Sequence, residues 1–411
     1  MSLYGNAVVG QSGGPTAVIN ATLAGVIEGV LTAQKEGKIG TLYGMRNGIE
    51  GLLEERFIDL GEIFRDPAQL AVLKSTPASA LGSCRKKLPS PEKDGAVYAE
   101  ILRIFKKYDI RYFFYIGGND SMDTVDKLNV YFSQNEYEAK IIGVPKTIDN
   151  DLVVTDHTPG FGSAAKYIAT SIHEILRDCA VYTIPAVTIV EIMGRDAGWL
   201  TAAAALPKCQ NGIGPDLVYL PERAFDLNAF FADVRGALAR HPNVVVAVSE
   251  GIRDKDGCYV CEGISGGGVD AFGHKQLTGT GKALELAVKA EFGCKVRSIE
   301  LNLPQRCAAH IASLTDVTES VAVGTHAVNA ALDGHSGEMA LIRRQPGDTY
   351  AASYDTVPIS QVANLVKAVP DAYINEKGNG VTDECLAYLL PLICGEVAPV
   401  YQNGLPVHCI L

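Results

Sequence analysis

A chain of 411 residues with 47% hydrophobic and 20% charged residues reads as an ordinary globular protein, long enough for two to three domains of about 150 residues each. Its net charge of −11 argues against non-specific nucleic-acid binding and against docking on an acidic membrane, although an acidic chain can still keep a locally positive cleft for an anion. No run approaches about 18 apolar residues, so no ordinary membrane-spanning helix is expected.

No basic segment followed by an apolar core opens the chain, and no secretory signal is expected. The ten cysteines are scattered, many inside apolar segments such as Leu392-Ile393-Cys394, which suits buried thiols in a reducing cytoplasm. Cys258 and Cys261 form a CxxC without a second pair nearby and read as ordinary thiols.

In chain order, Ala7–Gly10 is a short strand and Gln11–Thr16 turns out of it into a segment with helical apolar spacing, Ala17–Ile27. A glycine turn between strand and helix lets a phosphate reach backbone amides, though a tight turn alone would look the same. Gly82-Ser83-Cys84-Arg85-Lys86-Lys87 puts three cations on a glycine-led loop, either a solvated charge run or a phosphate contact. An amphipathic helix, Val97–Tyr108, feeds the strand Arg111–Ile116, which ends in Gly117-Gly118-Asn119-Asp120-Ser121; a helix follows over Met122–Phe132.

The strand Ala139–Val144 then gives way to Pro145-Lys146-Thr147-Ile148-Asp149-Asn150-Asp151. Here a lysine, a hydroxyl and two carboxylates arrive just where open α/β sheets bind ligands, at the carboxyl end of a strand. A second round repeats the wiring. Helix Ala165–Leu176 leads to strand Ala186–Ile192 and Met193-Gly194-Arg195; strand Asp216–Leu220 and a helix around Ala229–Leu238 lead to strand Val244–Val248 and Ser249-Glu250-Gly251. Gly263–Gly268 reads as a connector loop. Alternating strand and helix of this kind implies an α/β fold of two doubly wound, Rossmann-like lobes with the active site in the cleft between them.

Together with Ser12-Gly13-Gly14 and Pro304-Gln305-Arg306, these strand-end motifs stand in the order found in the phosphofructokinase family, which the chain resembles from about Val8 to Arg306. Two positions are informative about the phosphoryl donor. ATP-using members resemble Gly-Gly-Asp-Gly-Ser in the third motif and have glycine before Thr-Ile-Asp, whereas Asp120 and Lys146 match the pyrophosphate-using pattern. A carboxylate where the α-phosphate of ATP would lie repels and displaces it, and a nearby lysine supplies charge to the smaller donor.

The resemblance implies reversible, Mg²⁺-dependent transfer of a phosphoryl group from diphosphate to O1 of fructose 6-phosphate, serving glycolysis and gluconeogenesis. An ATP-dependent enzyme and a non-catalytic sugar-phosphate-binding subunit are the alternatives. It implies Asp149 as base, supported by Asp151, with Lys146 and Arg195 stabilising the transferring group. Gly14, Gly118, Ser121, Arg85 and Lys86 would meet the donor. Thr147, Ile148, Asp149, Met193, Gly194, Arg195 and Glu250 would meet the sugar phosphate, with Arg297 and Arg306 on its 6-phosphate. Asn119 stands where an acidic Mg²⁺ ligand is usual; its amide can coordinate without a formal charge, beside Asp120, Asp149, water and the donor phosphates. Arg297 would reach across from a neighbouring subunit, in a homodimer or homotetramer, while a second cross-subunit arginine falls at Ala186. Residues 1–160, with about 305–350 returning, would form the donor lobe, and 161–304, with about 351–411, the sugar-phosphate lobe.

Overall fold

The computed structural model describes residues 3–263 and 279–411; most of the expected loop Gly263–Gly268 lies outside the described residues. Among the described residues, eleven strands build the two large sheets. The first orders β11-β10-β5-β4-β1-β2-β3, where β1 is Asn6–Gln11, β2 Leu42–Met45, β3 Phe57–Asp59, β4 Ile110–Gly117, β5 Lys140–Pro145, β10 Glu338–Arg344 and β11 Ala352–Pro358. Its five inner strands run parallel, and the edges β3 and β11 are antiparallel. The second sheet orders β7-β8-β6-β9, all parallel, with β6 Ala186–Ile192, β7 Leu217–Tyr219, β8 Asn243–Ser249 and β9 Lys295–Glu300.

Strand β4 shows why the first sheet is central. Successive side chains point to opposite faces; Tyr112, Phe114 and Ile116 enter one apolar cluster, and Phe113 and Tyr115 the other. Helices Ile19–Lys35 and Leu314–Leu332 cover the first face, while Gly95–Lys107 and Asn119–Gln134 cover the second. The second sheet is sandwiched the same way, by Phe161–Cys179 and Trp199–Ala203 on one side and Leu227–Leu238 and Thr280–Phe292 on the other. Both lobes are therefore doubly wound, as expected.

The chain tail departs from expectation at β11. Residues from about 351 on were expected in the sugar-phosphate lobe, yet Ala352–Pro358 pairs antiparallel with β10 at the edge of the first sheet. An antiparallel hairpin partner needs only a short connection, which residues 345–351 supply. Beyond it, Val369, Ile374, Leu386 and Leu389 do pack in the core of the second lobe.

Helix Leu314–Leu332 carries the chain back from the second sheet to the first and lies close against Ile19–Lys35. A Cβ at Gly25 would stand 2.0 Å from the Val321 carbonyl oxygen, and one at Gly324 2.3 Å from that of Thr22. The two backbones approach too closely for a methyl group on either side. Gly25→Ala is therefore expected to lower stability by about 1–3 kcal/mol, read as an earlier urea midpoint. Gly236 sits inside helix Leu227–Leu238 with nothing within 4 Å of such a Cβ; Gly236→Ala should instead stabilise by roughly 0.5–1 kcal/mol.

Candidate active site

The carboxyl ends of β1, β4, β5, β6, β8 and β9 all open into one cleft of about 820 Å³. Strand β1 delivers Ser12, Gly13 and Gly14; β4 delivers Gly118 to Ser121; β5 delivers Lys146 to Asp151. Met193, Arg195, Glu250 and Arg306 close the opposite wall. Of the residues singled out from sequence, Gly194 touches the site through its backbone, its N–H donating to Glu250 Oε1 at 3.4 Å. Arg297 alone stands away from it.

The donor side is knit together by the glycine loops. Ser12 and Ser121 hydroxyls hydrogen-bond to one another, and the Gly13 N–H donates to the Cys84 carbonyl at 3.2 Å. The Ser83 hydroxyl returns a bond to the Gly13 carbonyl at 2.7 Å. Gly13 has φ 76°, the left-handed region glycine enters without strain, and a Cβ there would lie 3.3 Å from Lys146 Nζ. Lys146 is buried and donates to the Gly14 carbonyl at 2.5 Å. Burial pulls its ammonium down to about 8, with the charges of Asp149 and Asp151 opposing that fall. Asp120 faces the same end of the cleft, and its carboxylate accepts from Lys87 Nζ at 3.1 Å. Lys87 is thus a third cation of this site, beside the expected Arg85 and Lys86.

The turn after β5 holds the acids. The Asp149 N–H donates to Thr147 Oγ1 at 3.1 Å, Asn150 takes a left-handed φ of 54°, and its amide donates to Tyr388 Oη at 3.2 Å. Asp149 is half-buried, and the loss of water pushes its carboxyl up to about 7; the Asp151 carboxylate adds to this, while Lys146 and Arg195 pull the other way. Asp151 is also raised, chiefly by burial. Across the cleft, burial and then Asp149 raise the Glu250 carboxyl to about 7. Arg195 keeps a buried Nε with no partner. A buried guanidinium N–H without an acceptor is what an anionic ligand would satisfy.

Arg306 is half-buried, and burial followed by the Arg85 charge lowers its pKa. Its Nη1 lies so near Gly14 that a Cβ there would be 3.2 Å away. The guanidinium therefore leans toward the donor loop. Six cations and seven carboxylates line the cleft, so the locally positive surface expected from the sequence holds only where Arg85, Lys86, Lys87, Lys146 and Arg306 gather. Arg297 sits instead in the first half of β9, opposite Thr188, with Nη1 3.9 Å from Asp178 Oδ2. It faces a shallow groove shared with Tyr182, Ile184 and Lys295, outside this chain's own cleft. Ala186 pairs with Lys295 there.

Sequence reasoning also missed the tail. Asn364 and Val366 line the cleft beside Asn119, whose Nδ2 donates to the Leu365 carbonyl at 3.0 Å. That bond leaves Asn119 Oδ1 buried without a partner. Among the described residues, no three His, Cys, Asp or Glu side chains are grouped to hold a metal ion.

The family model described as Phosphofructokinase matches residues 6–331. A pyrophosphate--fructose 6-phosphate 1-phosphotransferase of Halomonas elongata is 43% identical, over 98% of this chain and 94% of its own length. The protein of that name from Xanthomonas campestris pv. campestris is 44% identical, over 99% of this chain and 96% of its own. A crystal structure of a pyrophosphate-dependent phosphofructokinase from Nitrosospira multiformis superposes with a TM-score of 0.89 at 40% identity, covering 99% of this chain and 96% of that one.

Proposed function

The chain belongs to the phosphofructokinase family, and we propose that its cleft transfers a phosphoryl group from diphosphate to O1 of fructose 6-phosphate, reversibly. The new P–O bond forms at the sugar oxygen as the bridging P–O bond of diphosphate breaks, and phosphate leaves. Asp149 takes the hydroxyl proton. Its pKa, raised by burial and then by the Asp151 charge, suits a base near neutral pH. Lys146 and Arg195 meet the charge spread over the transferring oxygens, and little else is asked of the protein. Gly14, Gly118 and Ser121 frame the donor beside Arg85 and Lys86, while Thr147, Ile148, Met193, Gly194, Glu250 and Arg306 hold the sugar phosphate. Arg297, turned outward, completes the site of a second copy in a homodimer or homotetramer. Ten cysteines outside any disulfide fit a cytoplasmic setting, and the reaction belongs to glycolysis and gluconeogenesis.

Mg²⁺ fits this cleft. The partnerless buried Oδ1 of Asn119 and the neighbouring Asp120 carboxylate are the protein oxygens that would hold it. With no cluster of three ionisable ligands among the described residues, most of its shell would come from diphosphate and water, as is usual for this ion. It supplies charge neutralisation to the donor phosphates.

The observation that carries the donor assignment is that Asp120 and Lys146 both face the cleft containing Asp149, with the Asp120 carboxylate held in place by Lys87. Forward rates measured with diphosphate and with ATP at saturating Mg²⁺ test it; dominant ATP turnover overturns it. Asp120→Gly removes the carboxylate and is expected to raise ATP turnover by about tenfold or more, the equivalent of roughly 1.4 kcal/mol of repulsion relieved. If ATP remains inert, charge at this position does not select the donor.

A further inference from the structure

Lys367 lies in a tail segment with no recognisable motif, yet it grips the acid-bearing turn from behind. Its Nζ donates to Asn150 Oδ1 at 3.1 Å, to the Thr155 carbonyl at 3.2 Å and to the Asp156 carbonyl at 2.8 Å. An ammonium has three donors, and all three are engaged here, two of them on backbone carbonyls of the stretch that follows Asp149. Its own N–H donates to the Asp151 carbonyl at 2.8 Å. Its carbonyl accepts from Trp199 Nε1 at 2.9 Å, and the ammonium stands 5.4 Å from the centre of that indole ring.

The neighbouring residues extend this hold to the other ligand-bearing loops. Two positions before, Leu365 accepts from Asn119 at the head of the donor helix. Two positions after, the Val369 N–H shares Glu222 Oε1 with the Gly198 N–H, each at 2.8 Å, in the loop that carries Arg195. Residues 365–369 therefore join donor side, acid turn and sugar side through polar bonds. The left-handed Asn150 next to Asp149 is the point where the turn would otherwise relax, because that conformation is costly outside glycine and is kept only where the surroundings fix it.

We propose that Lys367 is a positioning residue for phosphoryl transfer: its ammonium locks the Thr147–Asp151 turn so that Asp149 meets the sugar hydroxyl, while its backbone couples that turn to the Arg195 loop. This rests on the phosphoryl-transfer reading given above. A base displaced by about 1 Å can cost on the order of 100-fold in rate without loss of binding.

The test is steady-state kinetics of the full chain with diphosphate, fructose 6-phosphate and Mg²⁺. Lys367→Met should lower kcat by roughly 10- to 100-fold while both KM values stay within about threefold; Lys367→Arg, which keeps charge and donors, should recover most of the loss. Asn150→Gly keeps the left-handed backbone accessible and removes the amide that Lys367 holds. It should lower kcat in the same way, and the double variant should be no slower than Lys367→Met, since the two act as one unit. Should Lys367→Met fail to fold, Asn150→Gly, read against Lys367→Arg, carries the test alone. Unchanged kcat in the folded variants, a loss confined to KM, or additive losses would overturn the proposal. If the unaltered chain turns over no phosphoryl donor, it is the reaction assignment that falls first, and the proposal with it.

Discussion

Asp149→Asn is expected to lower kcat with diphosphate by roughly 10²- to 10⁴-fold, the range of a general base, with little change in the KM for fructose 6-phosphate. The amide is the same shape and can still accept from the sugar, but it cannot take a proton. The unaltered enzyme should lose kcat/KM as pH falls through about 7, where Asp149 binds a proton, and the residual activity of the variant should lack that limb. Stability should move the opposite way. A carboxyl whose folded pKa is raised binds its proton more tightly in the native state than in the unfolded chain. Native stability therefore falls as pH rises from about 4 to about 7. Asp149→Asn removes that penalty, so its thermal midpoint should exceed the parent's at pH 8 and match it near pH 4. Partial solvent exposure of the half-buried carboxyl limits the gain. A variant that loses activity and stability together would point to a structural role for Asp149.

Much of this site was legible because its chemistry is local. Apolar runs that end in glycines, acids and cations gave β1, β4, β5, β6 and β8 with their loops, since a buried parallel strand and the turn after it are neighbours in sequence. What could not be read depends on distant partners. Helix Leu314–Leu332 hides its period because its inward face begins with polar residues. Asp316 accepts from the Gly160 and Ser163 N–H groups at 2.9 and 2.8 Å, capping the helix Phe161–Cys179, and Glu319 bonds His157 and Tyr350. Two carboxyls within one turn look like a solvated face until their partners are known.

The same reason explains Lys87 and Lys367. Three adjacent cations give no sign of which one will meet a carboxylate 33 positions away, and a lysine in the irregular stretch Val362–Val369 gives no sign that its acceptors lie near residues 150 and 155. Arg297 illustrates the converse. Its motif placement was legible, but whether a side chain on an edge strand serves its own cleft or another's depends on the direction in which it points.

Lys146→Met is expected to lower kcat with diphosphate by about 10²- to 10³-fold, as for loss of one preorganised donor aimed at developing charge. The ammonium is already desolvated and fixed on the Gly14 carbonyl, so in the proposed reaction its charge would act on the donor without prior rearrangement. That readiness is costly in the free protein. A lysine whose folded pKa falls to about 8 gives up its proton earlier in the native state than in the unfolded chain, so native stability rises as pH climbs from about 8 toward 10.5. Methionine has similar volume and no charge to bury, and the free variant should melt higher than the parent at pH 7. Diphosphate should reverse the order: it should raise the parent's midpoint strongly and the variant's only weakly, because a ligand stabilises in proportion to how tightly it binds the native state. Lys146→Arg separates charge from fit, restoring part of the diphosphate-induced shift while crowding the Gly13–Gly14 loop. Equal shifts in parent and Lys146→Met would place the donor's charge on Arg85 and Lys86 instead, and would remove Lys146 from the set of residues that select it.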